Sequence, residues 1–135
     1  MILKIEHLGI AVAKADEAIE TFNKLLNCKP EKSEVVASEK VNTHFYRVGE
    51  SQIELLESLD PEGVITRFIE KKGQGMHHIA LLTDNIDAEI LRLKEEGFIF
   101  LSEVPKVGAD NKRICFLHPK STTGVLVELC QEIIN

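Results

Sequence analysis

Apolar residues along this chain recur in two rhythms. Residues 5–13 alternate with period two, so His7, Gly9 and Ala11 share one face of a strand while Leu8, Ile10 and Val12 share the other. The period then changes to that of a helix over 15–27, where Ala15, Ile19 and Phe22 stand at i, i+4 and i+7. Strand patterning returns at 34–38, 41–48 and 51–56, the last two divided by a turn at Gly49-Glu50. Residues 61–72 place Val64, Ile65, Phe68 and Ile69 at helical spacing and run into Gly73-Gln74-Gly75, which predicts a short linking helix.

The same order then repeats. Glu6-His7-Leu8-Gly9-Ile10-Ala11 is matched by His77-His78-Ile79-Ala80-Leu81-Leu82, an offset of 71 residues from His7 to His78. That offset carries Ala15, Ile19 and Phe22 onto Ile86, Ile90 and Leu93, again one helix face, with Asp84 or Asn85 as its cap and Gly97 as its end. Strands over 98–104, 113–118 and 124–130 repeat the earlier trio, separated by a polar loop at 106–112 and a turn at 119–123. The reading is an α+β fold of two βαβββ modules in tandem, forming a curved eight-stranded sheet around a metal-binding cleft with the helices outside. Module one covers 1–59, the linker helix 60–75 and module two 76–135. At 135 residues the two modules are expected to share a single domain, because neither could bury its sheet face alone.

Composition narrows the function. With 44% hydrophobic and 28% charged residues the chain reads as an ordinary soluble protein, and no apolar run reaches the length of a membrane span. The net charge of −6 without a basic block argues against nucleic-acid binding, which depends on many phosphate contacts. Cys28, Cys115 and Cys130 are odd in number and lack CxxC spacing, so neither a disulfide framework nor a zinc knuckle is expected. The N-terminal run enters a strand pattern without the architecture of a signal peptide, and a reducing cytoplasm is the expected compartment.

The repeat also carries chemistry. Each copy holds one His at the start of its first strand and one Glu in its last, within Gln52-Ile53-Glu54-Leu55-Leu56 and Val125-Leu126-Val127-Glu128-Leu129. A lone His in an apolar strand is more often a core residue, and a Glu alternating with Val and Leu often faces water. The joint occurrence in both copies changes that reading. An ionised carboxylate facing an apolar interior needs a cation or open solvent. His7, Glu54, His78 and Glu128 brought together would form an N2O2 site for a divalent metal. His77 points to the opposite face by alternation and is read as structural, while His44 and His118 have no partner in the repeat.

These residues resemble the vicinal oxygen chelate superfamily (glyoxalases, bleomycin-resistance proteins, dioxygenases) and, within it, the methylmalonyl-CoA epimerases. The resemblance rests on His7-Leu8-Gly9-Ile10-Ala11-Val12, on 68–72 running into Gly75-Met76-His77-His78-Ile79-Ala80, and on Phe116-Leu117-His118-Pro119-Lys120-Ser121 followed by 124–129. It implies that His7, His78 and Glu128 bind the metal with Glu54 at the fourth position, where some epimerases have glutamine. The metal would be cobalt, nickel, manganese or zinc. Where some bacterial epimerases carry a glutamate in the third strand, this chain has Thr43 with His44 beside it, so the second base is left open.

The implied reaction is epimerisation of methylmalonyl-CoA through an enolate, with the metal as Lewis acid and with Glu54 and Glu128 as candidates for the acid/base pair at the two faces of the planar carbon. An acyl-CoA substrate and a homodimer are expected, and cations at 106–113 and Lys120 are candidates for the CoA tail. A lactoylglutathione lyase acting on a glutathione hemithioacetal is the alternative, favoured by Glu54 and disfavoured by the His118-Pro119-Lys120-Ser121 turn. A non-catalytic small-molecule binding protein would leave the matched polar set without a reason.

Overall fold

The computed structural model describes residues 1–134. Its elements, in chain order, are β1 (Ile2–Val12), α1 (Ala15–Leu26), β2 (Lys32–Val36), β3 (Val41–Val48), β4 (Ser51–Ser58), α2 (Val64–Lys72), β5 (Gly75–Thr83), α3 (Ile86–Glu95), β6 (Lys106–Val107), β7 (Lys112–Leu117) and β8 (Val127–Glu132). The βαβββ order is present twice, with α2 between the copies, so the α+β expectation holds.

The described chain divides into two compact units, one of residues 8–77 and one of residues 1–7 with 78–134. In the first the strands run β2-β3-β4-β1, and in the second β1-β5-β8-β7-β6, each including the part of β1 that it contains. In the first unit α1 lays Ala18, Ile19, Phe22 and Leu26 against Val12, Tyr46 and Leu55. In the second, α3 buries Ile86, Ile90 and Leu93 against Cys115, Leu117 and Leu129. These are the helix faces that the repeat predicts. Asn85 caps α3 by accepting a hydrogen bond from the Ala88 amide at 3.1 Å, and Gly97 follows the helix at φ +93°, a left-handed conformation that glycine adopts without strain.

Module two departs from the expected strands at two places. Residues 98–104 are not a strand: only Phe100 bridges to Leu117, and the partner of β7 on the side away from β8 is the two-residue β6, inside the segment expected to be a polar loop. Alternation of Phe98, Phe100 and Ser102 imitates a strand, but Phe98 and Phe100 pack onto the α3 cluster as a connecting segment. The final strand begins at Val127 rather than at 124, because Thr123 and Gly124 both turn through positive φ (54° and 90°).

Behind α3's layer, the opposite face of the second unit carries Ala80, Leu82, Ile114 and Cys130 with Phe116 packed against them. Ala80 and Phe116 flank Glu128 directly in register, one on each side, so this face is the one that receives the Glu128 side chain.

Candidate metal centre

Three of the expected site residues converge within the second unit. His7 on β1, His78 on β5 and Glu128 on β8 are 5%, 6% and 5% exposed, and their donor atoms all lie within 4.8 Å of one another. Nε2 of His7 is 3.0 Å from Nε2 of His78, and these atoms stand 3.7 and 3.4 Å from the two Glu128 carboxylate oxygens. The imidazoles meet edge to face at 86°, and Phe116 stands edge-on to His78 with ring centres 5.8 Å apart. The register explains the approach. Ala80 lies opposite Glu128 and shares a strand face with His78, and its single methyl group leaves the carboxylate room to reach the imidazole.

The spacing fits a bound cation. With metal–ligand bonds of about 2.1 Å, two ligands at a right angle stand about 3.0 Å apart and two at a tetrahedral angle about 3.4 Å apart. The distances of 3.0, 3.4 and 3.7 Å observed here fall at and just beyond those values. Two imidazole nitrogens and a carboxylate oxygen are a donor set for a borderline divalent ion such as zinc, cobalt, nickel or manganese. Glu54 lies on β4 of the other unit, 3% exposed and in register with Phe45. Thr43 is 1% exposed and is no acid or base at neutral pH, while Nδ1 of its neighbour His44 is 2.6 Å from Ser33 Oγ.

Two buried charges in the second unit are absent from the expected site. Glu6, 4% exposed, brings Oε1 to 2.5 Å from His7 Nδ1, the ring nitrogen that faces away from His78. Lys112, 6% exposed, stands 3.9 Å from the other Glu6 oxygen and 2.7 Å from Asp110 Oδ2. Burial pulls the Lys112 ammonium down, but the Asp110 hydrogen bond and the Glu6 charge outweigh it, so its pKa lies above the ordinary value. Near Glu128, burial and then the Glu128 charge push the Cys115 thiol up to about 12.

The remaining histidines have partners of their own. His77 stacks edge-on against Phe68 of α2 at 5.0 Å, and burial lowers its pKa. His118 accepts a hydrogen bond from the Lys120 amide at the turn before β8. Of the cations proposed for an anionic tail, Lys112 is buried, and Arg113 makes a two-pronged contact with Asp87 at 3.0 Å on each arm. Lys106 and Lys120 are exposed.

Residues 6–116 match the Glyoxalase/Bleomycin resistance protein/Dioxygenase superfamily. The mitochondrial methylmalonyl-CoA epimerase of Homo sapiens is 36% identical over 129 residues, covering 95% of this chain and 73% of that protein. An ethylmalonyl-CoA/methylmalonyl-CoA epimerase of Cereibacter sphaeroides is 36% identical over 133 residues, covering 97% and 99%. A Streptomyces coelicolor methylmalonyl-CoA epimerase in complex with 2-nitronate-propionyl-CoA superposes with a TM-score of 0.93 at 30% identity, covering 98% of this chain and 96% of that one. These relatives favour the epimerase reading over the glutathione lyase one. With its doubled βαβββ order and this coverage, the chain belongs to the glyoxalase/bleomycin resistance/dioxygenase superfamily, has the α+β vicinal oxygen chelate fold, and is homologous to the methylmalonyl-CoA epimerases.

Proposed function

We propose that this protein is an isomerase that interconverts the two epimers of methylmalonyl-CoA by moving the α-proton, with a divalent metal at His7, His78, Glu128 and Glu54. The observation that carries the reading is the buried cluster of His7, His78 and Glu128, in a chain 36% identical to a methylmalonyl-CoA epimerase over nearly its whole length. A single domain over 1–135 is supported by a family match that spans both units.

When bound, the metal supplies Lewis-acid stabilisation of negative charge developing on the thioester oxygen. The chain's own groups do the rest. His7 and His78 contribute neutral nitrogen donors, and Glu128 contributes a charge that offsets the cation inside a buried site. Glu54, equivalent to Glu128 in the repeat, is proposed as the fourth ligand. The two carboxylates are the acid/base pair, one removing the α-proton and the other returning it to the opposite face. The apolar shell of Phe116, Ala80 and Leu82 keeps water from competing with these groups.

The chain is further proposed to act as a homodimer, supported by the exposed apolar side chains of Leu3 and Ile5 on β1. Cys28, Cys115 and Cys130 form no disulfide among the described residues, which suits a reducing compartment such as the cytoplasm. The functional test is direct. Purified protein given a single epimer of methylmalonyl-CoA should generate the other in a metal-dependent way, and should leave a glutathione hemithioacetal unchanged. Turnover of the hemithioacetal alone would replace this reading with the lyase one.

A further inference from the structure

The metal reading uses one ring nitrogen of His7 and leaves unexplained why a carboxylate is buried against the other. Glu6 precedes His7 on β1, and alternation along a strand should send the two side chains to opposite faces. Instead Glu6 Oε1 reaches Nδ1 of His7 at 2.5 Å, and Lys112 stands 3.9 Å from the second Glu6 oxygen while holding Asp110 at 2.7 Å. The second module has no such carboxylate. The position equivalent to Glu6 is His77, which turns to Phe68.

Resting on the metal reading above, we propose that Glu6 is a positioning residue for His7, held in place by Lys112. A buried Glu–Lys pair contributes little net stability, because desolvation of two charges offsets their attraction. Its geometry is better accounted for by its effect on the imidazole. A carboxylate accepting the Nδ1 proton fixes the neutral tautomer whose lone pair is on Nε2, the atom that faces His78 and Glu128. It also locks the ring plane and raises the basicity of Nε2 towards a cation. Lys112 faces the second Glu6 oxygen, and Asp110 anchors the lysine, so the loop before β7 is coupled to a ligand on β1 through three side chains.

Two measurements test this, one of them independent of metal. In the metal-free protein, long-range proton–nitrogen NMR of the histidine rings should show neutral His7 with its proton on Nδ1, and Glu6→Ala should mix the two tautomers. Calorimetric titration of cobalt(II) chloride into metal-free protein should give an affinity about 10–100-fold weaker for Glu6→Ala. Glu6→Gln, which keeps the shape and an acceptor oxygen, should fall between Glu6→Ala and the wild type, and Lys112→Met should also weaken binding. Far-UV circular dichroism of each metal-free variant separates these effects from unfolding, and Glu6→Gln carries the titration if Glu6→Ala does not fold. Wild-type His7 protonated on Nε2, or cobalt affinity unchanged in every folded Glu6 variant, would overturn the proposal. A wild type that binds no cobalt would instead sink the metal reading, with the tautomer measurement still deciding what Glu6 does to His7.

Discussion

Replacing Glu128 by Gln removes one charge from the buried cluster and leaves its volume unchanged. In the metal-free protein the cost should be small. The carboxylate oxygens stand 3.7 and 3.4 Å from the two imidazole nitrogens, longer than the about 2.7–3.2 Å of a full N–H···O bond, and an amide keeps one acceptor. A change within about 1 kcal/mol corresponds to a melting shift of no more than ~4 °C for a chain of this size. With metal the cost is larger. At a concentration about 100 times the dissociation constant, a ligand stabilises the folded state by about 2.7 kcal/mol, which raises the melting temperature by roughly 10 °C. Loss of a coordinating carboxylate should weaken binding at least as much as the upper end, about 100-fold, of losing an outer partner. At the same metal concentration the variant should then gain only about 0.4 kcal/mol, or ~2 °C. Differential scanning fluorimetry of metal-free wild type and Glu128→Gln, each titrated with cobalt(II), reads both quantities. Equal metal-induced shifts would refute the ligand assignment, and a metal-free variant that no longer folds would give Glu128 a structural role.

Other outcomes can be checked independently. Glu54→Gln should lower kcat for epimerisation by about 10²–10⁴-fold, as loss of an acid/base group does, while the protein still binds cobalt(II). Undiminished turnover would restrict residue 54 to coordination. Ile86→Ala empties a fully buried position between α3 and the sheet and should cost about 2–5 kcal/mol in urea unfolding, and a loss under 1 kcal/mol would contradict the packing described for that layer. The folded Cys115 thiol keeps its proton to about 12, against an ordinary 9.0. The unfolded chain therefore holds fewer protons above pH 9, and stability should fall from pH 9 towards 12 by up to about 1.4 kcal/mol per pH unit. Cys115→Ala should flatten that slope in pH-dependent melts. In the native protein at pH 8, a thiol reagent should label exposed Cys28 ahead of buried Cys115 and Cys130.

The duplicated pattern made much of the fold legible, because the same apolar spacing had to be satisfied twice. Ile19 and Phe22, shifted by the repeat to Ile90 and Leu93, mark the helix faces that pack in each unit. His7, His78 and Glu128 were legible for the same reason, since a buried polar residue is informative when it recurs. Residues 98–104 misled because alternation records which side chains are buried, and two phenylalanines on a connecting segment bury alternately with no pairing beyond the single Phe100–Leu117 bridge. Glu6 and Lys112 could not be read. Period-two alternation sends Glu6 away from His7, and a lysine beside Asp110 and Asn111 looks like part of a solvated loop until the fold brings it to a carboxylate more than a hundred residues earlier in the chain.

The most direct test of the account is to follow one epimer of methylmalonyl-CoA in deuterated water by proton NMR and chiral separation. If the protein removes and returns the α-proton at a metal site, deuterium should enter the α-carbon as the second epimer appears, and a chelator should suppress both together until cobalt(II) is restored. Full epimerisation in the chelated protein, or isomerisation of a glutathione hemithioacetal without any exchange at the CoA thioester, would contradict it.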